Sequence, residues 1–218
     1  MTEVDPRLLA ALRRQLERRD ALIRGGARQI GWKLGIGAAE RIGGEIAVGY
    51  LTSTTRLDPG GTFRAGGRPR LHADAEIAVE FAADAEAGAG EAAVAVAIRG
   101  YRAALEIVDL AGDEEAEEVI AGNVFHRAVA LGELHPGVPG AAEGRLAVNG
   151  EARMAARAPE DLVRRLAAAV RILAAAGERI RAGEVVITGN VVQVPVAPGD
   201  EVVASITGLA AVALRVVA

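Results

Sequence analysis

Apolar residues at Leu8, Leu9, Leu12, Leu16 and Ile23, separated by Arg and Glu, recur at helical spacing. They predict an amphipathic helix from Pro6 to Arg24, ended by Gly25-Gly26. Beyond it the period shortens. Residues 30–51 are glycine-punctuated with short apolar runs, a pattern of strand pieces and turns. The Pro-Gly-Gly and Gly-Gly-Arg-Pro clusters between Leu57 and Arg70 predict a loop. Ala73 to Phe81 then alternates, with Ile77, Val79 and Phe81 on one face and Glu76, Ala78 and Glu80 on the other, as a strand does.

Small residues from Ala85 to Glu91 predict a turn, and Ala92 to Tyr101 fits a helix or a buried strand equally, because short apolar runs carry no decisive period. Leu105 to Leu110 predicts a strand. The acidic run from Asp113 to Val119 matches the first turns of a helix, where exposed amides favour negative charge. Val124 to Leu131 predicts a strand, and Gly144 to Ala155 a hairpin folded at Asn149-Gly150. A second clear helix starts at Pro159, carries Glu160 and Asp161 in its first turn, aligns Leu162, Leu166, Val170 and Leu173, and stops before Gly177. From Val185 to Ala218 the chain reads as β segments broken at Pro198-Gly199-Asp200 and Gly208. The class is therefore α+β, strand-dominated, with helices at the edges. A length of 218 residues suits an N-terminal helical segment, residues 1–26, followed by one compact domain, residues 27–218.

Composition mainly excludes. The net charge of -4 is spread among many Arg and Glu residues without a basic stripe, and aromatics are scarce, which sets nucleic acid aside. The absence of cysteine removes disulfides, thiol nucleophiles and thiolate metal sites. Apolar runs such as Ala92 to Ile98 and Leu209 to Leu214 are too short to span a bilayer, and the first residues lack a signal-peptide pattern. The expectation is a soluble, cytoplasmic protein with no membrane partner.

The candidate chemistry lies in three acids set in apolar sequence. Asp74 and Glu76 alternate with alanines, so on a strand they project to the same side, and Glu106 lies between Leu105 and Ile107. Three carboxylates from two strands make one face of an all-oxygen octahedral site, which suits Mg2+ or Mn2+ better than Zn2+. On spacing alone Asp74 and Glu76 fit a solvated strand face as well. A buried, unpaired Glu106 is costly, so a partner is expected there. Glu80, on the same face, is assigned to solvent. His72, His126 and His135 form no ligand motif and read as surface or packing residues, although His72 shares the predicted face of Asp74. Gly31, Gly35 and Gly37 do not make a dinucleotide loop, because no βαβ unit follows, and no Gly-x-Ser-x-Gly elbow occurs.

Taken in order, Gly31-Trp-Lys-Leu-Gly, Ala73-Asp-Ala-Glu-Ile-Ala, Ala104-Leu-Glu-Ile-Val-Asp, Arg181-Ala-Gly-Glu-Val-Val-Ile-Thr-Gly and Pro198-Gly-Asp resemble the fumarylacetoacetate hydrolase superfamily across nearly the whole chain. Within it they are similar to the 2-keto-4-pentenoate hydratase and 4-oxalocrotonate decarboxylase branch. The resemblance implies a mixed β-roll with flanking helices, with residues 27–218 as the catalytic domain. It also implies a divalent metal, Mg2+ or Mn2+, on Asp74, Glu76 and Glu106, and a homo-oligomer. The implied activity is that of a hydratase-like lyase of the aromatic-catabolic type on a small 2-oxo acid; decarboxylation, carbon–carbon hydrolysis or a non-catalytic ligand-binding role are the alternatives. Lys33 matches the motif lysine and is the implied catalytic residue, in substrate binding or proton transfer. Leu34, Thr188, Gly189 and Asn190 are implied to surround the substrate. Three positions depart from the pattern: Ala47 replaces the Asp of Pro-Asp-Phe-Gly, Arg157-Ala-Pro replaces Leu-Gly-His-Pro, and Gly122-Asn123 keeps only the Asn of Asp-Asn.

Overall fold

The computed structural model describes residues 4–35, 46–111, 115–137 and 142–218. The first helix, α1 (Pro6–Arg24), is capped by Asp5, whose side chain accepts from the Arg7 amide. Its apolar stripe packs inward through Ala11, Leu12 and Leu16, and the Gln15 amide donates to the carbonyls of Val48 and Ile120. The helix is thereby tied to the strand β2 (Ala47–Thr52) and to the short helix that ends at Ala121.

Two sheets build the body. The larger runs β2-β1-β10-β5-β6-β7-β3, with β1 (Gln29–Gly35), β3 (Arg56–Leu57), β5 (Leu71–Phe81), β6 (Ile98–Asp109), β7 (His126–Leu131) and β10 (Val185–Pro195). It is mixed: β1 pairs β10 in parallel and β3 pairs β7 in parallel, while the central β10-β5-β6-β7 pairings are antiparallel. The smaller runs β4-β12-β11-β8-β9, with β4 (Thr62–Arg64), β8 (Glu143–Val148), β9 (Glu151–Arg157), β11 (Glu201–Ile206) and β12 (Val212–Val217). The main core fills the space between the sheets and beneath the helices, with Trp32, Ile77, Phe81, Leu105, Leu146, Leu166 and Leu173 fully buried. A second, smaller apolar cluster of Leu51, Ala78, Ala104, Val129, Leu131, Val185 and Ile187 lies on the other face of the larger sheet.

The α+β class and the mixed β-roll stand as expected, while several local expectations change. The segment from Ala92 to Tyr101 is both alternatives in succession, a helix α2 (Glu91–Ala97) running directly into β6. The Leu57 to Arg70 loop contains β4, which is held by parallel pairing with β12 across the fold, a long-range contact that leaves no local period. The acidic helix is α3 (Ala116–Ala121), and residues 112–114, including Asp113, lie outside the described residues. The second long helix is α4 (Leu162–Ala175), with Asp161 as its N-cap residue. Residues 36–45, with Gly37, are likewise outside the described residues.

Gly31 is required by the β1–β10 pairing. At φ +151 an added Cβ would lie 1.8 Å from the Val185 carbonyl oxygen, so no other residue lets the two backbones approach this closely. The Asn149-Gly150 turn joins β8 and β9 with both φ values positive, 54 and 81, as a two-residue hairpin needs.

Candidate metal centre

The register of β5 against β6 sets Asp74 directly opposite Glu106, and the two-residue period puts Glu76 on the same face. One oxygen from each of the three carboxylates lies within 4.8 Å of the others, and all three residues are buried. Glu76 is oriented by β10. A register shift between Ile187 and Asn190 bulges that strand, Gly189 takes φ 93, and its amide donates to Glu76 Oε2 at 2.8 Å. The Thr188 hydroxyl fixes the same bulge by donating to the Ile77 carbonyl at 2.9 Å.

Lys33 enters from β1. Its Nζ donates to Glu106 Oε1 and Oε2 at 2.7 and 2.8 Å and to the Val124 carbonyl at 2.9 Å. That carbonyl is aimed by an unusual stretch, Asn123, Val124 and Phe125, at φ 66, 50 and 63. Asn123 anchors the stretch to β2, accepting from the Tyr50 amide at 2.8 Å and donating to the Tyr50 carbonyl at 3.1 Å. Gly49 leaves room for this: a Cβ there would meet Asn123 Oδ1 at 2.7 Å and Lys33 Cγ at 2.8 Å. On the far side of Glu106, His126 Nδ1 lies 2.6 Å from Oε1 and Nε2 lies 2.9 Å from the Thr55 hydroxyl.

The electrostatics divide the acids. Burial, and then the nearby Glu106 charge, push the Asp74 carboxyl up to about 7 despite Lys33 and a hydrogen bond from Gln193. The same two causes hold Glu76 well above the ordinary carboxylate range. Burial acts upward on Glu106 as well, yet the Lys33 ammonium and the His126 hydrogen bond outweigh it and hold Glu106 at about 2. Burial lowers His126, against the pull of Glu106.

A divalent cation fits this arrangement on two observations. Asp74 Oδ1 is buried with no hydrogen-bond partner, a lone pair that protein groups leave unused. Lys33 offsets one carboxylate charge of three, so a dication is the charge that lets the other two ionise. Hard oxygen donors without sulfur or imidazole in the trio select Mg2+, Mn2+ or Ca2+.

The residues implied by sequence do not all converge. Asp74, Glu76, Glu106 and Lys33 meet, with Thr188 and Gly189 buried beside them through the bulge. Asn190 pairs in register with Glu76 and is exposed. Leu34 is 1% exposed and belongs to the main core, on the face of β1 opposite Lys33. Ala47 is buried in that core too. Glu80 is not solvated: it is 6% exposed and paired with Arg99 at 2.8 Å and with Arg102, both supplied by β6. His126 is a buried part of the site and not a bystander, whereas His72 hydrogen-bonds the Arg70 carbonyl at 3.1 Å in an exposed setting.

The profile of the family described as fumarylacetoacetate (FAA) hydrolase C-terminal matches residues 44–217. The chain belongs to the fumarylacetoacetate hydrolase family. No curated protein sequence matches it significantly. Solved structures do. The 4-oxalocrotonate decarboxylase from Pseudomonas putida G7, complexed with magnesium and adipate, superimposes with a TM-score of 0.85 at 24% identity, over 93% of this chain and 83% of that one. The fumarylpyruvate hydrolase from Pseudomonas aeruginosa, in complex with Mn2+ and pyruvate, gives a TM-score of 0.67 at 18% identity, over 87% and 89%. The 5-carboxymethyl-2-hydroxymuconate delta-isomerase from Mycobacterium smegmatis gives 0.67 at 20%, over 88% and 78%. At these identities the likeness establishes the shared fold of the family. No helix among the described residues is long and apolar enough to cross a membrane.

Proposed function

We propose that this member of the family is a metal-dependent lyase acting on a small 2-oxo acid, with Asp74, Glu76 and Glu106 holding Mg2+ or Mn2+. The observation that carries the reading is the buried carboxylate trio with its unused Asp74 oxygen beside a single lysine. It is supported by similar structures that contain magnesium or manganese together with small carboxylic acids. When bound, the ion supplies Lewis-acid stabilisation of negative charge on the keto oxygen of a 2-oxo acid.

The chain's own groups do the rest. Lys33 is 3% exposed and held at Nζ by Glu106 and the Val124 carbonyl, so it presents a fixed positive charge and a transferable proton inside the site. The strand bulge at Thr188-Gly189 keeps Glu76 in place. The apolar cluster of Leu51, Ala104, Val129 and Ile187 on the same sheet face excludes water from one side of the trio.

Hydration of a 2-hydroxydienoic acid is the leading reaction, as in the hydratases the motifs resemble. Decarboxylation is the second reading, and Ala47 favours it. A methyl group stands where those hydratases carry an acid, and it is packed in the core at 3% exposure. Loss of carbon dioxide needs no water-activating base: the bond to the carboxylate breaks, its electron pair moves toward the keto group, and a proton is returned to carbon. Self-association remains part of the proposal and is read by sedimentation.

The test is incubation of the purified protein with Mg2+ or Mn2+ and 2-hydroxydienoic or 4-oxalocrotonic acids. Loss of dienoate absorbance without gas marks hydration, carbon dioxide release marks decarboxylation, and two acid fragments mark hydrolysis. No change in any substrate with either metal refutes the lyase reading.

A further inference from the structure

His126 is the one imidazole that the structure buries against the carboxylate trio, and neither spacing nor motif singles it out. Its side chain is enclosed, with Glu106 and Lys33 on one side, Thr55 on the other, and Arg127 next to it in sequence. Glu106 faces Lys33 through both oxygens, so it is ionised and can only accept hydrogen bonds. A hydrogen must therefore sit on His126 Nδ1 to make the 2.6 Å contact with Oε1. On the other side of the ring Nε2 lies 2.9 Å from the Thr55 hydroxyl. Thr55 is itself fixed, since its amide and its hydroxyl both reach the Thr52 carbonyl, at 3.2 and 3.3 Å, at the turn between β2 and β3. The imidazole is thus held at Nδ1 by Glu106 and at Nε2 by Thr55.

We infer that His126 is a positioning residue for the metal site: by donating from Nδ1 to Glu106 Oε1 it locks the rotation of that carboxylate and leaves its other lone pairs for the cation, with Thr55 holding the ring in place. The inference rests on the reading of Glu106 as a metal ligand. Lys33 alone does not do this, because its ammonium meets both carboxylate oxygens from a single point, whereas the planar ring is held at both nitrogens. The burial of the imidazole is explained by the same role. A packing residue here needs no polar atoms, and burying two ring nitrogens costs free energy unless both are bonded. Both are bonded, each to a different element.

The experiment is calorimetric titration with Mn2+ alone of the wild type, His126→Ala, His126→Asn, Thr55→Val and Glu106→Ala, with melting temperatures recorded in EDTA. The asparagine amide replaces the Nδ1–H donor and lacks the rest of the ring. His126→Ala is expected to bind Mn2+ about 10- to 100-fold more weakly than wild type, the range for loss of a group that orients a ligand. His126→Asn is expected to recover most of that loss while melting in EDTA no higher than His126→Ala plus a few degrees, which a purely structural role does not produce. Thr55→Val, nearly isosteric and away from the carboxylates, is expected to weaken Mn2+ binding several-fold, and it carries the test if His126→Ala does not fold. Unchanged Mn2+ affinity in His126→Ala, or in Thr55→Val where the alanine variant is unfolded, overturns the inference while leaving the metal site standing. A wild type that binds no Mn2+, or a Glu106→Ala variant that binds as tightly as wild type, overturns the metal reading and this inference with it.

Discussion

Replacing Asp74 by asparagine should stabilise the metal-free protein while destroying its response to metal. In the folded, metal-free chain the Asp74 carboxyl is raised from 3.8 to about 7 by burial and by Glu106. The folded state therefore holds a proton that the unfolded chain releases, and stability falls as pH rises between about 4 and 7. Carried from 3.8 to about 7, the rise costs about 4 kcal/mol at pH 8, where the folded carboxyl is also ionised, and about 2 kcal/mol at pH 5. An asparagine amide keeps the shape and carries no such cost. Urea unfolding in EDTA should then show Asp74→Asn more stable than wild type, with an advantage that grows by about 2–3 kcal/mol between pH 5 and pH 8. Glu76 is raised in the same direction, so the wild type itself loses stability with pH more steeply than Asp74 alone dictates. With excess Mg2+ or Mn2+ the wild type should recover the difference and the variant should not. An Asp74→Asn variant that is less stable than wild type in EDTA at pH 8, or whose advantage does not change with pH, refutes the reasoning.

Metal affinity should itself rise with pH through about 7, because Asp74 must lose its proton to ligate; Mn2+ titrations at pH 6, 7 and 8 measure this. Lys33→Met leaves the fully buried Glu106 without its ammonium and should cost about 3–5 kcal/mol at neutral pH in urea unfolding. Glu106 is held at about 2 against an ordinary 4.5, so its contribution is complete above about 4.5 and disappears as pH falls through about 2; that acid limb should flatten in Lys33→Met. Gly31→Ala forces a Cβ to 1.8 Å from the Val185 carbonyl and should cost at least about 3 kcal/mol by parting β1 from β10, read by circular dichroism and melting.

The alternation along β5 made the shared face of Asp74 and Glu76 legible, because a period of two is a local property. That Glu106 lies opposite Asp74 is a matter of strand register, which spacing along the chain does not carry. Glu80 misled for the same physical reason in reverse. Its own strand offers nothing to pair with it, and the arginines that cover it, Arg99 and Arg102, arrive from β6. His126 was illegible because its partners, Glu106 and Thr55, are 20 and 71 residues away, and because Asn123 to Phe125 leave the ordinary backbone regions just before it. The signal that existed was the buried acid itself: Glu106 between Leu105 and Ile107 demanded partners, and the chain supplies Lys33 and His126 as well as the other two carboxylates. Leu34 illustrates the limit of carrying a motif residue by residue, since its neighbour Lys33 faces the trio and alternation therefore turns Leu34 into the core.

The central claim is that three strand carboxylates hold a divalent cation, and the most direct measurement is anomalous diffraction from crystals of the wild type grown with Mn2+. A peak enclosed by the carboxylate oxygens of Asp74, Glu76 and Glu106 is the expected result. A fully occupied peak elsewhere, or no peak between these residues at saturating Mn2+ above pH 7, contradicts it.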